Sequence, residues 1–152
     1  MTDRARVYQS MGMLFRFHAF PVDTMGKFCL VEAVVPPGQG APPNHHAGET
    51  EAFYILSGEV TFEIEGVART AGEGSFVSVP DGAVHSFRVV GPNPARILVL
   101  NAPGHMHEQF FTQTGEPVAP ETTLPGPMDG PPDVARILAV AAASGMTILP
   151  PA

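Results

Sequence analysis

Three side chains able to bind a metal stand at spaced positions: His46, Glu51 and His85. Asn44, two residues before His46, can add a fourth and weaker oxygen donor. Two imidazoles and one carboxylate hold a divalent transition metal on one face and leave positions open for water, dioxygen or an organic ligand, a donor set associated with non-haem iron. Such ligands must converge on one point. Residues two apart on an extended strand point the same way, so Asn44 and His46 share a face and His45 points away. Glu51 opens the run Glu51-Ala52-Phe53-Tyr54-Ile55-Leu56, and His85 follows a Pro80-Asp81-Gly82 turn. By the same alternation Phe53 and Ile55 lie on the face of Glu51, and Phe87 on that of His85. These three are expected to wall an apolar pocket around the metal, with Tyr54 and Leu56 facing away.

The elements that must position these residues read as short strands at 11–20, 26–35, 51–56, 59–65, 74–79, 84–90 and 95–101, each bounded by turn residues. In Val60-Thr61-Phe62-Glu63-Ile64-Glu65 the alternation is clean, so one face is buried and the other wet. Several such strands in succession predict a closed or sandwiched antiparallel barrel. The texture changes after Asn101. Residues 108–111 suit a short helix, 115–132 are Pro-rich and aperiodic, and 133–144 read as a helix with Asp133 at its start and Gly145 placed as a left-handed C-terminal residue. Its apolar stripe of Val134, Ile137, Leu138, Val140 and Ala141 is expected to cover an outer face of the barrel or a partner subunit. The expected division is a barrel over 1–110, with its motif core at 38–89, and an appendage over 111–152.

Composition limits the function. With 152 residues, 44% of them apolar, the chain can bury one core without disulfides. Its 16 Gly and 17 Pro suit strands joined by tight turns. The net charge is −7 and no run concentrates Lys or Arg, so nucleic acid is not an expected partner. The single Cys29 lies in the apolar run Phe28-Cys29-Leu30-Val31 and reads as a small buried hydrophobe. The start, Met1-Thr2-Asp3-Arg4-Ala5-Arg6, mixes acid and base and leads into no long apolar stretch, and no apolar run approaches the length of a membrane span. No membrane partner is expected, and the expected location is the cytoplasm.

Two spacings carry a resemblance. Gly38-x5-Asn44-x-His46-x4-Glu51-x6-Gly58 resembles the first motif of the cupin family, in which a His usually stands where this chain has Asn44. Gly74-x5-Pro80-x-Gly82-x2-His85 resembles the second, with Val89 where an Asn often closes it. The Glu51 strand with its Ser57-Gly58-Glu59 turn is similar to bacterial one-domain cupins of the quercetin 2,3-dioxygenase-like group. So are the Pro103-Gly104-His105-Met106-His107-Glu108 segment continuing through Phe111 and a tail ending in Ile148-Leu149-Pro150-Pro151. The resemblance implies an all-β, cupin-type jelly-roll β-barrel with a C-terminal helical appendage, forming a homodimer. It also implies one divalent transition metal (Fe, Mn, Ni, Cu or Zn) in the lumen and a small organic ligand above it.

Asn44 is the departure that matters most, because an amide oxygen binds soft divalent metals less tightly than imidazole does. Three arrangements are compatible with it. Asn44 ligates; or it stands off and hydrogen-bonds a metal-bound water; or the site is degenerate, or a local slip brings in His45. Where a metal is held, Glu51 offsets only one of its two charges, which favours an anionic ligand such as an enolate, a catecholate or a carboxylate.

The leading expectation is a dioxygenase-like enzyme acting on a small aromatic or enolisable organic anion, with Glu51 both a ligand and, if it swings off the metal, a proton acceptor. An isomerase or decarboxylase on the same scaffold is the near rival, since fold and ligands do not set reaction class. A non-catalytic small-molecule-binding cupin is the reading from another class. Among the remaining histidines, His18 reads as a hydrogen-bonded structural residue, with a place in the pocket lining as its alternative, and His45 as a surface or rim residue. His105 and His107 form a second His-x-His beside Glu108, a set that on paper could bind a metal. No recognisable motif positions a further partner for them, so a loop or helix-start role is expected.

Overall fold

A computed structural model describes residues 4–150. Residues 1–3 of the N-terminal stretch and Pro151 of the tail, both read above, lie outside the described residues. Two antiparallel sheets face each other as a jelly-roll-like barrel. In chain order the elements are β1 (Val7–Ser10), β2 (Met13–Ala19), a 3₁₀ turn (Pro21–Thr24), β3 (Cys29–Val35), β4 (Gly40–His45), β5 (Thr50–Ser57), β6 (Val60–Ile64) and β7 (Val67–Ala71). They continue with β8 (Phe76–Val79), β9 (His85–Val89), β10 (Ala95–Ala102), α1 (His105–Thr114), β11 (Glu116–Pro117), α2 (Val134–Ser144) and β12 (Thr147–Ile148). One sheet runs β11-β1-β2-β3-β10-β5-β8 and the other β12-β4-β9-β6-β7.

Strand alternation builds the core between the sheets. In β10 the inward positions are Ala95, Ile97, Val99 and Asn101; in β6 they are Val60 and Phe62. Phe53, Phe62 and Phe87 meet as a cluster, with Phe53 and Phe62 ring centroids 4.9 Å apart. Such aromatic contacts add roughly 0.5–1.5 kcal/mol per pair beyond the area buried. No helix among the described residues is long and apolar enough to cross a membrane.

The strands that sequence alternation misses are those with weak signals. The polar-looking start forms β1, which turns into β2 through Met11 and Gly12, both at positive φ, as a two-residue hairpin turn requires. β4 contains Pro42 and Pro43, which lack ladder donors, and its pairing with β9 shifts register between Ala41 and Asn44. β7 is exposed at four of its five positions, leaving no apolar period to detect.

The C-terminal third departs most from expectation. The helix begins at His105, three residues before the expected 108, and runs to Thr114. His107, Phe110 and Phe111 then share one face at i, i+3 and i+4, and Phe111 stacks on Phe15 with centroids 4.1 Å apart. α2 starts and stops where its signals say: Asp133 Oδ1 accepts the Arg136 amide at 3.1 Å, and Gly145 takes a left-handed φ of 98°. Of its apolar stripe, Ile137, Val140 and Ala141 pack with Phe110 and Met146, while Val134 and Leu138 stay exposed. The Gly145 turn and the pairing of β12 with β4 carry the chain back to the barrel, so α2 packs beside α1 across the open end.

Two consequences can be measured. Gly104 starts α1 at φ 97°, and a Cβ there would lie 2.3 Å from the Cβ of Cys29. Gly104→Ala should therefore cost about 2–4 kcal/mol, combining overpacking with the left-handed penalty. An unchanged urea midpoint would show that α1 is not docked this closely. Burial raises the Cys29 thiol to about 12, so at pH 8 it is protonated as well as enclosed. Ellman's reagent should find no reactive thiol in the native protein and one after denaturation.

Candidate metal centre

Glu51 lies at the centre of a buried polar cluster in an otherwise apolar barrel. β5 places it opposite Asn101 of β10 and Val79 of β8, and its side chain is almost completely buried. Burying a carboxylate costs several kcal/mol unless it is well satisfied. Here Asn101 Nδ2 donates to Oε2 at 2.5 Å, His107 Nε2 lies 2.6 Å from Oε2, and His85 Nε2 lies 3.2 Å from Oε1. His46 Nε2 stands 3.7 Å from Oε2, beyond hydrogen-bonding range.

Two of the imidazoles, His85 and His107, are aimed from behind. His85 Nδ1 lies 2.8 Å from the carbonyl of Ala83, which can only accept, so Nδ1 carries the proton and Nε2 faces Glu51. His107 Nδ1 lies 2.7 Å from Glu49 Oε1, while Glu49 Oε2 accepts the Met106 amide at 2.9 Å. Glu49 is itself only 2% exposed. Asp81, in the turn before His85, accepts the Gly48 amide at 2.8 Å and ties that turn to the loop carrying His46 and Glu49.

The electrostatics follow from this crowding. Burial would lower His107, but the Glu51 charge and the bond to Glu49 outweigh it and raise the group to about 9. Burial would raise Glu51, yet His107 and His85 hold it well below the ordinary carboxylate range. Glu49 is likewise lowered against its burial by His107 and the Met106 amide. His85 is raised, because Glu51 overrides desolvation, whereas burial lowers His46 and the neighbouring His107 charge adds to that effect.

The donor chemistry fits a divalent cation. His46 is buried with neither ring nitrogen hydrogen-bonded, and a buried polar group without a partner is costly. The ligand atoms of His46, Glu51 and His107 all lie within 4.8 Å of one another. Adjacent ligands on a transition metal sit about 3 Å apart, given metal–nitrogen bonds near 2 Å. A cation would give His46 its missing partner and separate the imidazole lone pairs from the carboxylate.

Of the expected donors, His46 and Glu51 belong to this group, and His85 adjoins it through Glu51 Oε1 at 3.2 Å. Asn44 lines the cavity beside them, with its Nδ2 donating to the carbonyls of Pro42 and His85 at 2.9 and 3.2 Å. The cavity holds about 290 Å³ and opens above Glu51, His85 and His107. Phe53 and Phe87 line it together with Phe15, Phe110 and Phe111, and Ile137 and Leu138 of α2 border it. Ile55 does not: two residues further along β5, its side chain is fully enclosed in the core. His18 pairs with Glu32 at 3.0 Å in a largely exposed position, away from the cavity. His45 is half-buried in β4, paired with Thr147.

Three residues of the cluster, His107, Asn101 and Glu49, are not assigned to it from the sequence, and Glu49 carries no local signal there. His107 enters because α1 begins earlier than its clearest apolar residues suggest; its i+3 and i+4 spacing to Phe110 and Phe111 was the available signal. Asn101 shares strand parity with Ile97 and Val99, which predicts an inward side chain even though Asn is polar.

A small jelly-roll barrel with histidines and carboxylates gathered in its lumen is the class of protein that fold and site define. The chain is a cupin: residues 31–101 match the Cupin_2 family, the cupin domain. Quercetin 2,3-dioxygenase of Bacillus subtilis (strain 168) is 34% identical over 104 residues, which are 68% of this chain and 30% of that protein. The match thus spans under a third of the relative's length. Among solved structures, a predicted oxalate decarboxylase from Thermotoga maritima superposes with a TM-score of 0.61 at 20% identity, over 67% of this chain and 98% of that one. The polyketide cyclase RemF from Streptomyces resistomycificus gives 0.56 at 23% identity, over 68% and 80%. At these identities the two structures share the fold alone.

The raised His107 has a measurable effect in chelator-treated protein. A histidine whose folded value exceeds its unfolded one adds stability that is complete below the ordinary range, about 6.5, and is lost as pH rises through the folded value. The melting temperature of the metal-free protein should therefore fall between pH 6.5 and about 9. His107→Gln should flatten that fall; a wild-type profile already flat there would contradict the buried Glu49–His107–Glu51 chain.

Proposed function

We propose that this protein is a metal-dependent, dioxygenase-like cupin acting on a small aromatic or enolisable organic anion. The observation that carries the reading is the buried, unpartnered His46 beside an ionised Glu51, which lines the floor of an apolar cavity with His85 and His107. In this reading His46, Glu51 and His85 hold one divalent transition metal, with Asn44 beside them as a weaker oxygen donor. When bound, that metal supplies Lewis acidity and, if redox-active, an electron path between an organic anion and dioxygen.

The chain's own residues set what binds. Apart from the histidines, Glu51 and Asn44, the described lining is apolar and contains no Lys or Arg. Nothing there would pair with a phosphate or a second carboxylate, whereas Phe53, Phe87 and Phe111 offer faces to an aromatic ring. α2 lies across the open end, and its Ile137 and Leu138 exclude water from a bound ring. Glu51, held ionised and therefore a weak base, suits the removal of an already acidic proton, such as that of an enol or a phenol. The likeness to a protein named quercetin 2,3-dioxygenase supports the same substrate class.

A homodimer belongs to the same proposal. Tyr54 and Phe76, paired across β5 and the edge strand β8, expose their rings on the outer face of the sheet. Sedimentation giving a strict monomer at micromolar concentration would overturn that part.

The test is elemental analysis of protein purified without added metal or chelator, alongside His46→Ala. About one equivalent of Fe, Mn, Ni or Cu, lost in the variant and accompanied by oxygen uptake on flavonols, catechols or diketones, is the expected result. Zinc without oxygen uptake would redirect the reading to an isomerase or decarboxylase. No metal even after reconstitution would leave a barrel that only binds.

A further inference from the structure

We propose that His107, brought in by α1 and oriented by Glu49, is a metal ligand of this chain and supplies the imidazole that β4 lacks at position 44. The inference rests on the metal-dependent reading above and adds to it a donor from outside the barrel.

Three observations carry it. The described His and Glu residues whose ligand atoms all lie within 4.8 Å of one another are His46 in the loop after β4, Glu51 of β5 and His107 of α1. Asn44 Nδ2 is committed to two backbone carbonyls, which fixes its amide against the β4–β9 ladder. Glu49 is a fully buried carboxylate, and its side-chain oxygens hold His107 Nδ1 at 2.7 Å and the Met106 amide at 2.9 Å. A carboxylate behind the far nitrogen of an imidazole fixes the ring's tautomer and direction and raises its basicity as a ligand, the usual outer-shell arrangement at metal-bound histidines. Here it leaves Nε2 pointing at Glu51 Oε2, 2.6 Å away, and His46 and His107 meet edge to face with ring centroids 4.6 Å apart.

The competing role for the same residues is a Glu49–His107–Glu51 ion-pair chain that staples α1 to the barrel and never touches a metal. The two roles differ in what a metal does to α1. If His107 is a ligand, metal loading joins α1 to β4 and β5 directly, and the floor and wall of the cavity become one unit. If it is a staple, the metal and the His107 bridge compete for Glu51 Oε2, and loading loosens the helix.

The experiment is Co(II) titration of metal-free protein, followed by absorbance, with hydrogen exchange measured before and after loading. Wild type should take one equivalent, and exchange across 105–114 should slow. His107→Gln should weaken Co(II) at least 100-fold, Glu49→Gln by roughly 10–100-fold, and Asn44→Ala by less than threefold. In the Cu(II)-loaded protein, electron spin-echo modulation should show one imidazole fewer in His107→Gln than in wild type. Wild type that binds Co(II) while His107→Gln binds it equally well overturns the His107 assignment and leaves the metal-dependent reading standing. Loss of affinity in Asn44→Ala with none in Glu49→Gln overturns it likewise. Should His107→Gln fail to fold, faster or unchanged exchange of 105–114 in loaded wild type still overturns it. Wild type that binds no Co(II) sinks both proposals together.

Discussion

The constraint on which the rest of this molecule depends is the negative charge buried on Glu51. Glu51 sits among Val79, Phe53 and the inner faces of two sheets, where an unpaired carboxylate would cost several kcal/mol. Every neighbouring polar group is arranged to meet it. Asn101 donates across the strand pair, His85 approaches from the opposite sheet, and His107 comes down from a helix after the barrel. Among the described residues both ring nitrogens of His46, and Asn101 Oδ1, remain without a partner, and a cation would satisfy the imidazole and the carboxylate at once. The polar cluster is therefore both a stability problem and the chemical capacity of the fold.

The barrel solves that problem by dividing the work between its sheets. β5 and β10 of the larger sheet supply Glu51 and Asn101 as direct cross-strand neighbours, and β4 and β9 of the smaller sheet bring Asn44 opposite His85. A one-residue slip in any of these ladders would turn the polar groups outward and bring apolar ones to solvent, so the apolar core protects the register of the site. The Asp81 bond to the Gly48 amide joins the two loops on which both motifs depend. A second layer, Glu49 and the Ala83 carbonyl, aims the imidazoles.

Above the cluster the environment changes abruptly from polar to apolar. The cavity walls around Glu51 include phenylalanines and methionines, and α2 adds isoleucine and leucine at the mouth. A low-dielectric cavity strengthens every charge interaction at its floor and limits ligands to those that bring few polar groups of their own. The Pro-rich stretch before α2 needs no secondary structure for this. Its task is to span the distance, and β12 anchors the far end of the helix by pairing with β4.

Much of this was legible in the chain. The spacing of His46, Glu51 and His85 among turn glycines, the alternation of β5, β6 and β10, and the caps of α2 are local signals, and local signals survive in a one-dimensional reading because each depends on a period of two or on a single turn. Ile55 shows the limit of alternation: it shares the face of Glu51, but facing inward does not distinguish the cavity wall from the sealed core beneath it. His107 and Asn101 show the larger limit. Their places beside Glu51 depend on a helix turning back over the barrel mouth and on which strand pairs with which, contacts 56 and 50 residues apart in the chain. The sequence by itself determined most of the core strands, the two motifs and three candidate donors. Only the tertiary structure decided which other side chains reach the buried carboxylate, because neutralising a charge in an apolar interior recruits whatever the packing brings within about 3 Å, whatever its distance along the chain.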